Sequence, residues 1–189
     1  MAIYSAYPCS RGSIHITGNS MSDQPDFDTG FLSDTNDIDL KTQIWAYKKQ
    51  REILRRTSAY RGEIASRHPG FPERSGATLI SLDESEKEQG AAQLNLPDIA
   101  YSQEDNEVIR QFIRENLNTT WHSMGTAKMA AREMGGVVDK ELNVHGVLGL
   151  KCADMSIAPE NVGANTCNTA MTIAEKAASI IQADLGLEM

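Results

Sequence analysis

Three stretches of the chain carry helical hydrophobic periodicity, and they are separated by segments that lack it. From Asp37 to about Ala59, the residues Ile38, Ile44, Trp45, Tyr47, Ile53 and Leu54 recur near the spacing of one helix face. Lys48, Lys49, Arg51, Arg55 and Arg56 share that segment and predict a solvated opposite face. A second helix is predicted over about 103–117, where Val108, Ile109, Phe112, Ile113 and Leu117 form an apolar stripe. Ser102 followed by Asp105 supplies its start, a capping box built with the shorter acid. The third helix spans 168–184. Its apolar positions (Ala170, Met171, Ile173, Ala174, Ala177, Ala178, Ile180 and Ile181) wrap most of the way round, which predicts a buried helix.

Between these lie shorter signals. Ser13-Ile14-His15-Ile16-Thr17 alternates and reads as a strand, whereas 18–35 is rich in Gly, Asn, Ser, Asp and Pro and reads as loop. Residues 66–98 read as irregular, with one short strand near Thr78–Leu82. Gly135-Gly136-Val137-Val138-Asp139 predicts a turn into a short strand, and Leu148 to Asp154 a strand that ends on an acid. Pro159 to Thr166 is a Gly/Asn-rich loop. The mixture predicts an α/β or α+β fold in two lobes.

Composition narrows the classes. With 40% hydrophobic residues among 189, the chain can build a core. A net charge of −8 and a pI near 5.0 argue against electrostatic binding of nucleic acid or anionic membranes. Cys9, Cys152 and Cys167 lie far apart with no CxxC spacing, so zinc and a disulfide framework both read poorly, and no metal site is expected. Cys167 reads as a small buried residue rather than a nucleophile. The first residues lack a basic, apolar signal sequence, no stretch reaches the ~20 apolar residues of a membrane span, and Gly186-Leu187-Glu188-Met189 is not an SKL-type address. The expected location is cytoplasmic.

The chemistry-bearing residues concentrate in the last third. His122 follows Trp121 and precedes Ser123-Met124-Gly125-Thr126, a polar turn that leaves an imidazole at a bend. Histidine is the usual side chain for moving a proton near neutral pH, although a core histidine satisfied by backbone is the favoured reading of the residue alone. Asn165 sits in Gly163-Ala164-Asn165-Thr166, which feeds directly into the third helix. Such a loop offers backbone N–H groups and a helix N-terminus to a negative charge; otherwise Asn165 or Asn168 is the N-cap. Asp154 either accepts hydrogen bonds from a hydroxylated ligand or caps the turn that follows it. His15, His68 and His145 read as strand, loop and turn residues.

Four elements recur in order: Trp121-His122-Ser123-Met124-Gly125-Thr126, Gly136-Val137-Val138-Asp139, Leu150 to Pro159, and Gly163 to Asn168. Together with Tyr7-Pro8-Cys9-Ser10-Arg11-Gly12-Ser13-Ile14 near the start, this set resembles the C-terminal region of the glucose–methanol–choline (GMC) flavin oxidoreductases, in particular the alcohol oxidases. The resemblance implies oxidation of a primary alcohol to an aldehyde, with FAD as cofactor. It assigns His122 as the base that takes the hydroxyl proton, Asn165 as the amide that orients the substrate oxygen, and Trp121 to the substrate side. It also places Asp154, Met155, Gly163, Asn165 and Thr166 against the cofactor, and it implies that 1–118 is the end of a substrate-binding domain, a sheet flanked by helices, and 119–189 the strand–helix segment that completes the FAD domain.

One element of that family is absent. No Gly-x-Gly-x-x-Gly turn occurs among the 14 glycines, so the chain lacks the usual clamp for FAD's pyrophosphate. Three readings follow: part of a longer oxidase, a chain that pairs with a separate N-terminal FAD-binding chain, or a stand-alone homologue. In the last, the vacated cleft would serve cofactor-free isomerisation or cyclisation of an apolar substrate, or the chain would be a non-catalytic remnant or interaction partner. Apolar surface left open by the absent portion would favour association, including homo-oligomers.

Overall fold

The computed structural model describes residues 2–80, 94–163 and 165–187. They form a mixed α/β arrangement in two compact units. One comprises Met1–Ser5 and Asp34–Asn118; the other comprises Ala6–Ser33 and Thr119–Met189.

The first unit is built on α1 (Ile38–Arg55) and α2 (Gln103–Asn116). The start of α1 is capped from upstream. Asp37 is left-handed and its side chain makes no cap, while the Asp34 carboxylate accepts from the N–H of Ile38 at 2.6 Å and of Asp39 at 3.3 Å. At α2 the expected capping box forms: Ser102 accepts from the Asp105 N–H at 3.0 Å, and Asp105 accepts from the Ser102 N–H at 2.7 Å. Leu40, Ile44 and Tyr47 of α1 and Ile109 and Ile113 of α2 are buried, and the rings of Tyr47 and Phe112 lie 6.5 Å apart.

The basic run of α1 is not the solvated face its charge predicts. Arg51 is 3% exposed and donates to both Glu63 oxygens at 2.6 and 2.9 Å, to the Ala77 carbonyl at 3.1 Å and to the Tyr101 hydroxyl at 3.1 Å. Arg55 and Arg56 both pair with Glu52, and Arg56 also reaches the Leu96 carbonyl at 2.6 Å and Asp98 at 2.7 Å. The segments 57–80 and 94–101 have almost no regular structure, so their backbone groups need partners from elsewhere. Charged side chains of α1 supply them, with Glu52 accepting from the Ile99 N–H at 2.8 Å. The short strand expected near Thr78–Leu82 falls partly on Ser81 and Leu82, which lie outside the described residues. Thr78 to Ile80 form no strand, although the Ile80 carbonyl accepts from the Glu63 N–H at 2.7 Å.

In the second unit, β1 (Ser13–His15) pairs antiparallel with β2 (Asp26–Asp28), Ile14 facing Phe27. The second strand went unread inside the predicted loop because Asp26 and Asp28 carry no strand propensity. The predicted strands after Gly136 and before Asp154 shrink to single bridges: Met129 with Val138, Val138 with Val144, and Asn143 with Lys151. Left-handed turns at Gly146 and Gly149 reverse the chain too soon for a ladder to lengthen. Val138, Leu142, Ile157 and Ala177 form the core, flanked by Met129, Val137, Val144, Cys152, Ile173 and Ile180.

The third helix, α3 (Cys167–Asp184), starts and ends close to expectation but is not buried. Ala177 is its one fully buried residue, while Met171 is 55% exposed and Ile181 is also open. The stripe through Ile173, Ala177 and Ile180 packs on the core, and Asp184 pairs with Lys151 at 2.6 Å. Among the described residues, no helix is long and apolar enough to cross a membrane, and no group of three His, Cys, Asp or Glu is placed to hold a metal ion.

Arg51→Ala should destabilise the first unit by about 3–5 kcal/mol in urea denaturation, because it strands a buried Glu63 carboxylate. Replacing both partners (Arg51→Met with Glu63→Leu) should recover most of that loss. A second prediction concerns acid. Burial opposes the charge on Asp105, yet hydrogen bonds from Ser75 and Ser102, helped by Lys48, hold its carboxyl below the usual carboxylate range. A depressed folded value means stability that is complete above the unfolded pKa of ~3.9 and lost as pH falls through the folded value. Asp105→Asn should therefore lower stability at neutral pH and flatten its decline in acid.

Candidate active site

The site is assembled from backbone first. The chain leaves α2 at Leu117 and turns at Trp121, whose φ of 57° is left-handed and whose N–H donates to Thr119 Oγ1 at 2.9 Å. A non-glycine residue rarely adopts that conformation, and nothing in the sequence pattern announced it. The Trp121 ring is 79% exposed. His122 follows, half-buried, with Nδ1 3.1 Å from Thr120 Oγ1. That contact engages Nδ1 and leaves Nε2 without a partner among the described residues.

Gly125 then turns with φ of 81°, and a Cβ there would press on the Ala158 carbonyl at 3.2 Å. Beyond it, the N–H groups of Gly125, Ala127 and Met129 donate to the carbonyls of Met155, Ser156 and Ile157 at 3.2, 2.9 and 2.8 Å. This run of bonds sets the His122 segment beside the Asp154 turn. On its other side, Val137 N–H donates to the Lys128 carbonyl at 2.9 Å and Ala130 N–H to the Val138 carbonyl at 3.2 Å. His145 closes the frame: its N–H donates to the Val137 carbonyl at 2.9 Å and its Nε2 lies 3.0 Å from the Ala130 carbonyl. It is a turn residue, as expected, and also a tie between two segments.

Asp154 caps the 3₁₀ turn Met155–Ile157, its Oδ1 accepting from the Ser156 N–H at 2.8 Å. Hydrogen bonding from Ser156 holds its carboxyl below the usual range, and the side chain remains exposed. The capping reading therefore holds. Met155 is half-buried.

Gly163, Asn165 and Thr166 arrive from beyond Pro159, on the lead into α3, which packs against the Met155–Ile157 turn. Gly163 is closely approached by the phenol of Tyr7: an added Cβ would collide with its hydroxyl oxygen. Asn165 is exposed. The N-cap of α3 is Thr166, not Asn165 or Asn168, and its side chain makes no capping hydrogen bond. Trp121, His122, Asp154 and Met155 thus sit on hydrogen-bonded neighbouring segments, whereas Gly163, Asn165 and Thr166 share their unit without a bond to His122. His68 serves elsewhere, 2.9 Å from the Tyr47 hydroxyl, with burial pulling its pKa down.

The profile of the GMC oxidoreductase C-terminal region matches residues 8–174. Alcohol oxidase 1 of Komagataella phaffii is 39% identical over 218 aligned residues, covering 95% of this chain and 33% of that protein. Alcohol oxidase of Pichia angusta is 41% identical, covering 95% and 32%. Among solved structures, an FAD-dependent oxidoreductase from Chaetomium thermophilum superposes with a TM-score of 0.66 at 26% identity, covering 97% of this chain and 26% of its own. The chain belongs to the GMC oxidoreductase family and corresponds to its C-terminal portion. It spans about a third of the length of the curated relatives it matches.

The frame's dependence on close backbone approach is testable. A Cβ on Gly136 would collide with the Ala130 backbone, whereas one on Gly149 would meet nothing within 4 Å. Gly136→Ala should cost about 1–3 kcal/mol. Gly149→Ala, charged only for its left-handed φ, should cost about 1 kcal/mol. Thermal unfolding of the two variants checks the order.

Proposed function

We propose that this chain is the catalytic C-terminal portion of an FAD-dependent enzyme that oxidises a primary alcohol to an aldehyde. The observation that carries the reading is 39% identity to an alcohol oxidase over 95% of the chain. The His122 bend and the start of α3, held in one compact unit, agree with it.

The residues present fit one end of the cofactor. The start of α3, whose N-cap Thr166 makes no side-chain capping hydrogen bond, is a favourable place for the negative charge of a reduced flavin ring. The exposed carboxylate of Asp154 suits a ribityl hydroxyl. The pyrophosphate end finds no glycine-rich turn here. FAD, when bound, supplies the acceptor for the hydride.

His122 takes the hydroxyl proton of the alcohol on Nε2. The 3.1 Å contact between Nδ1 and Thr120 Oγ1 is compatible with the tautomer a base requires, in which Nδ1–H donates to the hydroxyl and the lone pair lies on Nε2. Asn165 presents an amide to the substrate oxygen and stabilises the developing alkoxide, and backbone at Thr166 lies toward the cofactor. Trp121, held open by its unusual backbone, offers an aromatic face to the substrate's apolar part.

The missing clamp belongs to a partner portion, either the remainder of one long polypeptide or a separate chain. The exposed apolar side of α3 is what such a portion would cover. The β1–β2 ribbon gives the same indication, since every residue of both strands is exposed and a lone ribbon is marginal in water.

In a flavin-loaded assembly containing this chain, His122→Ala should lower kcat by about 10²–10⁴-fold. The bound-flavin spectrum should be unchanged. Undiminished alcohol turnover would remove His122 from the mechanism.

A further inference from the structure

We propose that Tyr7 is a positioning residue for the segment that delivers Asn165, acting through its contact with Gly163. A Cβ at Gly163 would run into the Tyr7 hydroxyl oxygen, with Cζ 3.0 Å and Cε2 3.3 Å away, so the phenol rests against the bare Cα. Gly163 is not among the glycines with left-handed φ. Its missing side chain therefore makes space and is not required by backbone conformation.

Two further links run between the same segments. Asn161 Nδ2 donates to the Ala6 carbonyl at 3.4 Å, and Arg11 lies 3.5 Å from Glu160. Both are long, and the ion pair is exposed, so neither holds the loop firmly. The Tyr7 side is stiffer. Pro8 fixes the backbone next to Tyr7, and the Arg11 guanidinium donates to the carbonyls of Pro8 at 2.6 Å and Ser10 at 2.9 Å. A braced turn thus presents an aromatic ring to the loop at Gly163.

Tyr7 is 68% exposed and its hydroxyl has no hydrogen-bond partner among the described residues. Its removal should therefore cost little global stability. The effect should fall on Asn161 and Gly163 and on Asn165, two positions further along the chain. The consequence for catalysis rests on the proposed role of Asn165 in orienting the substrate oxygen, where a displacement near 1 Å can cost on the order of 10²-fold in rate.

The test has two arms. In the full chain without flavin, the ps–ns backbone order parameters of Asn161, Gly163 and Asn165, read from 15N relaxation, should fall toward ~0.6 in Tyr7→Ala at an unchanged melting temperature. Tyr7→Phe, which keeps the ring, should stay near wild type. Gly163→Ala should also lower them, and combining it with Tyr7→Phe, which removes the colliding oxygen, should reverse that. Unchanged order parameters in Tyr7→Ala, or a Gly163→Ala effect indifferent to the Tyr7 oxygen, would overturn the contact. In the flavin-loaded assembly, Tyr7→Ala should lower kcat at an unchanged flavin spectrum, and Tyr7→Phe should restore it. Full kcat despite a loosened loop would overturn the positioning role. If the assembled wild type oxidised no alcohol, the catalytic reading would fall, while the relaxation arm would still decide the contact.

Discussion

Hydrogen bonds from Gly125, Ala127 and Met129 to Met155, Ser156 and Ile157 are the constraint on which the candidate site depends. They join two segments roughly thirty residues apart, neither of which forms a strand long enough to persist alone. Val138 lies under this junction, fully buried, and bridges to both Met129 and Val144. Because each bridge is a single pair, rigidity comes from their convergence on one apolar core and not from a ladder. The left-handed glycines and the close approach at Gly136 are what allow so many short returns of chain in so small a volume.

The first unit solves a different problem with a different interaction. Its two helices bury an ordinary apolar seam, but the irregular backbone around them has no sheet to satisfy it. Arg51, Glu52 and Arg56 take that role, binding carbonyls and N–H groups of residues as far along as Ile99. Buried ion pairs of this kind add little net stability, since desolvation offsets attraction, but they penalise every arrangement that leaves a charge unpaired. Specific geometry for an otherwise featureless segment is the gain.

Much of this was legible in the sequence, and the exceptions have physical causes. The periodicity of Val108, Ile109, Phe112 and Ile113 and the Ser102–Asp105 box placed α2 almost to the residue. The same logic misjudged Arg51, because charge pattern along one helix does not reveal a carboxylate twelve residues away that folds back onto it. α3 was read as buried from its composition, yet most of its apolar surface is open. Composition reports what a helix is suited to contact, and this chain spans about a third of its relatives' length. At the site, the ordered motifs singled out His122 and Asn165, which the fold places in one compact unit. The left-handed Trp121 was not, since no residue type signals it, and Tyr7 was not, since its contact with Gly163 joins opposite ends of the sequence.

The central claim is that this chain carries the proton-transfer and substrate-orienting groups of a flavin enzyme while the grip on the dinucleotide lies in a complementary portion. Flavin absorbance and fluorescence during titration with FAD at micromolar concentration test it most directly, first on the chain alone and then with the N-terminal portion of a GMC oxidoreductase added. The account predicts free-flavin spectra for the chain alone, then a bound-flavin spectrum that bleaches with a primary alcohol once the complement is present. Alcohol conversion by the chain with no flavin bound, or a complemented flavin that alcohol never reduces, would contradict it.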